Sequence, residues 1–340
     1  MNSVTPASPQ RFLTGITTTG TPHLGNFVGS IRPSVAASRL PGVQSFYFLA
    51  DYHALIKCGD PARIQRSTLE IAASWLAAGL DPERVVFYRQ SDVPEIPELT
   101  WLLTCVTGKG VLNRAHAYKA SVDKNNAAGN DPDADVTAGL FMYPVLMGAD
   151  ILLFKSHKVP VGRDQIQHIE MARDMAQRFN HLYGEHLVLP EAVIEESVAL
   201  LPGLDGRKMS KSYNNSIYLS DDAATTAKMV MSMVTDTNRV RRADPGDPDV
   251  CVAFNLHRLY VPQEKLDEIV PACRGAQIGC VDCKKILAGC INERLAPFRA
   301  RREELASHPG FVDELLREGS RKASLISDAV MTEVRTALKF

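Results

Sequence analysis

The chain has 340 residues, of which 45% are hydrophobic and 23% charged, with a formal net charge of −1. That length calls for one large and one smaller domain around a sizeable core, and no apolar run approaches the ~20 residues that cross a bilayer, so membrane insertion is excluded. The near-neutral charge excludes a dedicated nucleic-acid coat, although local basic clusters decide whether a phosphate backbone is bound.

Residues 1–10 are polar, rich in Ser and Pro, and lack the basic-then-apolar order of a secretory signal, so a frayed arm and a cytoplasmic location are expected. Residues 12–16 read as a first buried strand, 17–20 as a turn, and 23–37 as a helix. A strand over 45–51, an amphipathic helix over 63–79 and a strand over 85–88 follow. Short, wholly apolar strands alternating with helices predict a parallel, doubly wound α/β sheet covered on both faces, with ligands at the carboxyl ends of the strands. Residues 127–135 form a surface loop. Residues 142–154 are too long for one strand and predict a helix running into a short extended piece. Residues 159–162 read as a strand and 164–180 as a helix. From about residue 221 only helices are expected, so a domain change is placed near 216–220: residues 1–217 for the α/β domain, 218–340 for the helical one.

Three groups of residues carry chemistry. In Thr21-Pro22-His23-Leu24-Gly25-Asn26 the proline suits a first helical turn, and His23 and Asn26 are expected to face outward at a helix N-terminus, a natural phosphate site. In Asp205-Gly206-Arg207-Lys208-Met209-Ser210-Lys211-Ser212, two ammonium groups three residues apart, beside small residues and the Gly203 and Gly206 hinges, can clamp a polyphosphate and close over it. Cys251, Cys273, Cys280 and Cys283 fall in one 33-residue window, separated by 21, 6 and 2 residues. Four such thiolates suit zinc or an iron–sulfur cluster, and spacing alone leans toward zinc. Cys58, Cys105 and Cys290 read as small apolar fillers. Arg239, Arg241, Arg242, Arg294, Arg299, Arg301 and Arg302 flank the cysteines and predict a basic surface for nucleic-acid phosphates.

The histidine and lysine segments, in this order and about 180 residues apart, together with Val159-Pro160-Val161-Gly162-Arg163-Asp164-Gln165-Ile166-Gln167-His168, resemble the bacterial tryptophanyl-tRNA synthetases among the class I aminoacyl-tRNA synthetases. The resemblance implies a Rossmann-like catalytic domain, an all-α anticodon-binding domain whose last helix packs back on it, and a homodimer. It implies ATP with Mg²⁺, L-tryptophan and tRNA(Trp) as substrates and partners. His23, Asn26, Lys208, Ser210 and Lys211 would carry catalysis. Thr17, Gly25, Gly162, Asp164 and Met209 would line the nucleotide site with them. Asp150, in Met147-Gly148-Ala149-Asp150-Ile151, would accept the indole N–H, a donor that needs an acceptor. Val159, Val161, Met147 and His53 would complete the pocket, and Tyr143 and Gln165 would hold the α-amino group. Some members carry a four-iron four-sulfur cluster on four cysteines of closely similar spacing, which shifts the expectation for Cys251, Cys273, Cys280 and Cys283 from zinc to the cluster. Arg163 stands where the family usually has Glu, and Thr17 where many members have Gln. The tyrosine enzyme is the nearest competitor, but its Gly-Gly-Ser-Asp-Gln type sequence is replaced here by Val-Gly-Arg-Asp-Gln. A nucleotide-binding paralogue without aminoacylation is the alternative from another class, and the intact His23, Asn26, Lys208 and Lys211 argue against it.

Overall fold

Apolar strands that must be covered on both faces assemble into one parallel sheet. The computed structural model describes residues 9–194 and 201–340, so most of the polar arm expected at residues 1–10 lies outside the described residues. Its strands are β1 (Gln10–Thr17), β2 (Val43–Ala50), β3 (Val85–Arg89), β4 (Lys158–Pro160) and β5 (Glu191–Val193), in the order β3-β2-β1-β4-β5. β1 pairs with β2 from Gln10 opposite Val43 to Thr17 opposite Ala50, so the two strands leave the sheet level with each other. The winding reverses between β1 and β4, and the crevice beyond the strand ends at such a reversal is where ligands settle. From Ser45 onward β2 is buried throughout, which explains why it reads as a continuous apolar run.

Local differences from the expected elements have identifiable causes. The helix expected from residue 142 begins earlier, at Ala138–Leu152, because Thr137 caps it by accepting from the Leu140 amide at 3.1 Å. It ends in a turn, and extended chain appears only at β4. The helix expected from residue 164 starts as a tight turn at Arg163–Gln165 before Ile166–Tyr183. β5, only three residues long, carries too little pattern to be read from sequence.

Beyond residue 221 the described elements are all helical: Ala223–Ser232, Val252–Tyr260, Gln263–Arg274, Cys280–Ser307 and Pro309–Leu338. This part shares a core with the sheet, in which Leu24, Val28 and Ile31 join Leu295 and Phe298, and Phe27 meets Phe298 edge to face at 5.4 Å. The last helix returns to the sheet and lies so close to β3 that a Cβ on Gly319 would sit 1.7 Å from the Phe87 carbonyl oxygen.

Candidate active site

The chain leaves β1 at Thr17 and turns into a helical segment at Leu24–Asn26, which continues through a π turn at Phe27–Ile31. His23 caps it: its Nδ1 accepts from the Asn26 amide at 3.2 Å, and Asn26 Oδ1 accepts from the His23 amide at 3.1 Å. The two side chains therefore close a reciprocal capping box, and His23 is buried rather than facing outward. Burial, then the Lys211 and Lys208 ammonium charges, push its imidazole down to about 4, against its own backbone hydrogen bond. It is neutral at physiological pH.

The lysine loop is sewn to this segment by backbone. Leu24 N–H donates to the Ile217 carbonyl at 2.9 Å and Leu219 N–H to the Pro22 carbonyl at 2.9 Å. Met209 is buried against Gly25, with its Cβ 3.5 Å from where a Gly25 Cβ would sit. Inside the loop, buried Asn215 accepts from the Ser210 amide at 2.9 Å and donates to Asp205 at 2.7 Å and to the Lys208 carbonyl at 3.2 Å. Gly206 adopts φ +87°, where a side chain would be strained. Lys211 lies against Gly20, its Nζ 3.3 Å from the position of an added Cβ. Burial and the Arg63 guanidinium lower Lys211 to about 8, with Glu70 opposing. Arg63 in turn donates to the Thr19 carbonyl at 2.9 Å. Two lysines and Arg63 gathered beyond the end of β1 suit a polyphosphate.

A second group sits beside it. Asp150, fully buried near the end of Ala138–Leu152, accepts from both sides: Gln90 Nε2 reaches its two oxygens at 2.8 and 3.0 Å, and His53 Nε2 lies 2.9 Å from Oδ2. Burial raises its pKa, against the pull of His53 and Gln90. The His53 ring is edge-on to Tyr143 at 6.4 Å, and the Tyr143 hydroxyl meets His168 Nε2 at 2.6 Å. His168 Nδ1 meets Gln165 Oε1 at 2.9 Å, and Gln165 Nε2 donates to Asp164 at 3.0 Å. Val159 belongs to the buried core beside Ala149 and Ile151, and Met147 and Val161 pack on that core. Although burial opposes it, the Gln165 amide and the Lys208 ammonium hold the Asp164 carboxyl below its ordinary value, which joins this group electrostatically to the lysine loop. A Cβ on Gly162 would meet Asp164 Oδ1 at 2.8 Å. Thr17 is exposed at the end of β1.

Lys208 thus faces both His23 and Asp164 electrostatically, which links the capping segment, the lysine loop and the Asp164 group. Sequence reasoning missed Gln90, whose available signal was a polar residue just past β3, and the part played by His168 within its motif.

Elsewhere, Cys251, Cys273, Cys280 and Cys283 line a single pocket with Asp236, Arg239 and His257. His257 Nε2 is 3.2 Å from Cys283 Sγ. Among the described residues no three His, Cys, Asp or Glu side chains are drawn together tightly enough to hold one metal ion. Cys58 and Cys290 are buried as fillers should be, but Cys105 is exposed. The basic surface expected around the cysteines is smaller than the arginine count implied. Arg239 faces Cys280 and donates to the Arg242 carbonyl; Arg299 donates to Asn292 and Thr226; and the Arg302 side chain is only 15% exposed, beside Glu70.

Comparison with known proteins gives a consistent picture. A family model described as tRNA synthetases class I (W and Y) matches residues 5–296. A tryptophan--tRNA ligase from Bordetella parapertussis is 57% identical over 331 residues, which cover 96% of this chain and 72% of that protein. One from Pseudomonas putida is 57% identical over 337 residues, covering 96% and 73%. Among solved structures, a tryptophanyl-tRNA synthetase from Campylobacter jejuni complexed with ADP and tryptophan superposes with a TM-score of 0.87 at 38% identity, covering 97% of this chain and all of that one.

Proposed function

The chain belongs to the class I tRNA synthetases of the tryptophan and tyrosine family, and from that premise we propose that it activates L-tryptophan with ATP and transfers the tryptophanyl group to tRNA(Trp). In the first step a tryptophan carboxylate oxygen forms a bond to the α-phosphorus while the bond from that phosphorus to the bridging oxygen breaks, releasing pyrophosphate. In the second, a ribose hydroxyl of the terminal adenosine attacks the adenylate carbonyl and AMP leaves. No side chain need act as nucleophile. Lys208 and Lys211 take the charge of the departing diphosphate, while neutral His23 and Asn26 lock the turn in which Gly25, lacking a side chain, leaves room for the nucleotide. Magnesium travels on the triphosphate. Thr17, Gly162, Asp164, Met209 and Ser210 line the nucleotide site.

Asp150 accepts the indole N–H within walls made by His53, Met147, Val159 and Val161, and Tyr143 and Gln165 receive the α-ammonium. The observation that carries this reading is the backbone stitch from Leu24 to Ile217 and from Leu219 to Pro22, because it brings two charge-handling segments distant in sequence to one strand end, beside a buried acceptor.

Residues 1–217 serve as the catalytic domain and 218–340 as the anticodon-binding domain, acting as a homodimer in the cytoplasm. These assignments rest on the family resemblance. Among the described residues no helix is long and apolar enough to cross a membrane. Cys251, Cys273, Cys280 and Cys283 hold a four-iron four-sulfur cluster that fixes the surrounding loops. Their convergence on one pocket supports a shared metal group, and the family resemblance selects the cluster over zinc. Anaerobic purification with iron and sulfide assay tests the cluster, and stoichiometric zinc without iron rejects it. Tryptophan-dependent ATP–pyrophosphate exchange and charging of tRNA(Trp) test the activity. Exchange with tyrosine but not tryptophan, or ATP binding without charging, sinks it.

A further inference from the structure

Asp164, Gln165, His168 and Tyr143 form a hydrogen-bonded chain in which each group dictates the next. Gln165 Nε2 donates to Asp164, and because a carboxylate only accepts, the amide must turn its Oε1 toward His168. That carbonyl oxygen lies 2.9 Å from His168 Nδ1 and cannot donate, so the imidazole proton sits on Nδ1. In a neutral ring Nε2 then offers only a lone pair, and the Tyr143 hydroxyl 2.6 Å away must donate to it. With that proton turned inward, the tyrosine oxygen keeps its lone pairs free, as Gln165 Oε1 keeps its second.

We propose that His168 is a positioning residue that converts Tyr143 and Gln165 into a matched pair of acceptors for the α-ammonium group of the amino-acid substrate. This rests on the tryptophan reading above. A doubly protonated His168 would reverse the device: Nε2 would donate to Tyr143, whose own proton would then face the ammonium. The surroundings keep the ring neutral. It is buried, and burial followed by the nearby His116 lowers its pKa, with Asp164 opposing and His53 adding a smaller push down. Tyr143 from Ala138–Leu152, His53 from Asp51–Ala54, His116 from His116–Ala127 and Asp164 from the Arg163–Gln165 turn are the titratable groups that face it.

The test compares L-tryptophan with indole-3-propionate, which keeps ring and carboxylate but lacks the ammonium. In pyrophosphate exchange, His168→Phe should raise the tryptophan KM by ~10–100-fold, the scale of lost hydrogen bonds to a charged group. The KM for ATP and the inhibition constant of indole-3-propionate should stay within about twofold. His168→Asn, whose amide can stand in for Nδ1, should recover part of the loss. An unchanged tryptophan KM, or equal weakening of both ligands, overturns the proposal. Absence of tryptophan-dependent exchange in the unaltered protein would instead overturn the tryptophan reading, and this one with it. If the variants do not fold, the unaltered protein still decides. Acidification below the ordinary imidazole value of about 6.5 should raise the tryptophan KM while leaving indole-3-propionate unmoved. Parallel curves for the two ligands reject the role of His168.

Discussion

The Gln90 side-chain amide donates to both oxygens of Asp150, at 2.8 and 3.0 Å, with every atom of that carboxylate buried. Together with His53 it holds the proposed indole acceptor in one orientation, and no solvent can replace it. Asp150→Asn substitutes a neutral acceptor for a charged one, and a hydrogen bond to a charged group contributes ~1.5–3 kcal/mol. The tryptophan KM should rise by about 10–100-fold, and discrimination against the isostere with oxygen in place of the ring N–H should shrink by a similar factor. Gln90→Leu should raise the tryptophan KM less, while leaving the KM for ATP unchanged. Steady-state exchange kinetics with both amino acids check this, and an Asp150→Asn variant with unaltered discrimination refutes the assignment.

Lys211 has a pH signature. Its pKa in the ligand-free fold is about 8, below the ordinary lysine value of 10.5. The ammonium is therefore lost as pH rises through about 8, and kcat/KM for ATP, which reports the free enzyme, should fall across the same range. Near pH 8 ATP binding should take up protons, because the polyphosphate draws the group back to its charged form; calorimetry in buffers of different ionisation enthalpy measures it. Lys211→Arg should remove the alkaline limb, and Lys211→Ala should slow exchange by orders of magnitude with little change in tryptophan affinity. The stability sign is also fixed. The folded pKa lies below the unfolded one, so the unfolded chain binds more protons between about 8 and 10.5, and stability of the ligand-free protein rises with pH there. Lys211→Met should abolish that rise.

Asn215 is the scaffold of the lysine loop. Its side chain holds the Ser210 amide, Asp205 and the Lys208 carbonyl at once, so Asn215→Ala removes three part-buried hydrogen bonds, each contributing about 0.5–1.5 kcal/mol. The loss should appear in catalysis more than in substrate affinity. Exchange turnover should fall by ~10-fold or more, while the tryptophan KM holds, since no atom of Asn215 reaches the Asp150 group. A variant with normal turnover and a lowered melting temperature would assign Asn215 to stability alone.

Parts of this site are legible from sequence because their geometry is local. His23 and Asn26 lie three residues apart, the spacing of a helix cap, and Lys208 and Lys211 share one short loop. Alternating apolar runs likewise reveal the parallel sheet, since β2 is buried on both faces. Gln90 was not legible: its meaning comes from Asp150, sixty residues away, and nothing in the sequence around β3 marks that neighbour. Charge counts misled around the cysteines, because a guanidinium can turn inward when a carbonyl or hydroxyl waits for it, as Arg239 and Arg299 do. Cys105 was misread for a related reason: composition gives a cysteine's average preference, whereas exposure depends on which face of Glu95–Val106 it occupies.

Gly319 offers the test of how the last helix serves the pocket. A Cβ there would lie 1.7 Å from the Phe87 carbonyl oxygen and 2.7 Å from its carbon, and backbone atoms within a paired strand cannot retreat as a side chain can. Gly319→Ala must lift Pro309–Leu338 off β3, at about 3 kcal/mol or more. The consequence is not confined to stability. Ser320 accepts from the Arg89 amide at 3.3 Å and donates to Asp92 at 3.0 Å, and Asp313 accepts from the Arg89 side chain at 2.6 Å. Gln90 sits between those two anchored positions. Ser320→Ala, which keeps the close packing, should therefore lower the melting temperature only slightly yet raise the tryptophan KM by ~2–10-fold, the loss of one or two ordinary hydrogen bonds. Gly319→Ala should do both. If Ser320→Ala leaves the tryptophan KM untouched while Gly319→Ala merely unfolds the protein, the helix is a brace for the sheet and has no hold on the Asp150 carboxylate.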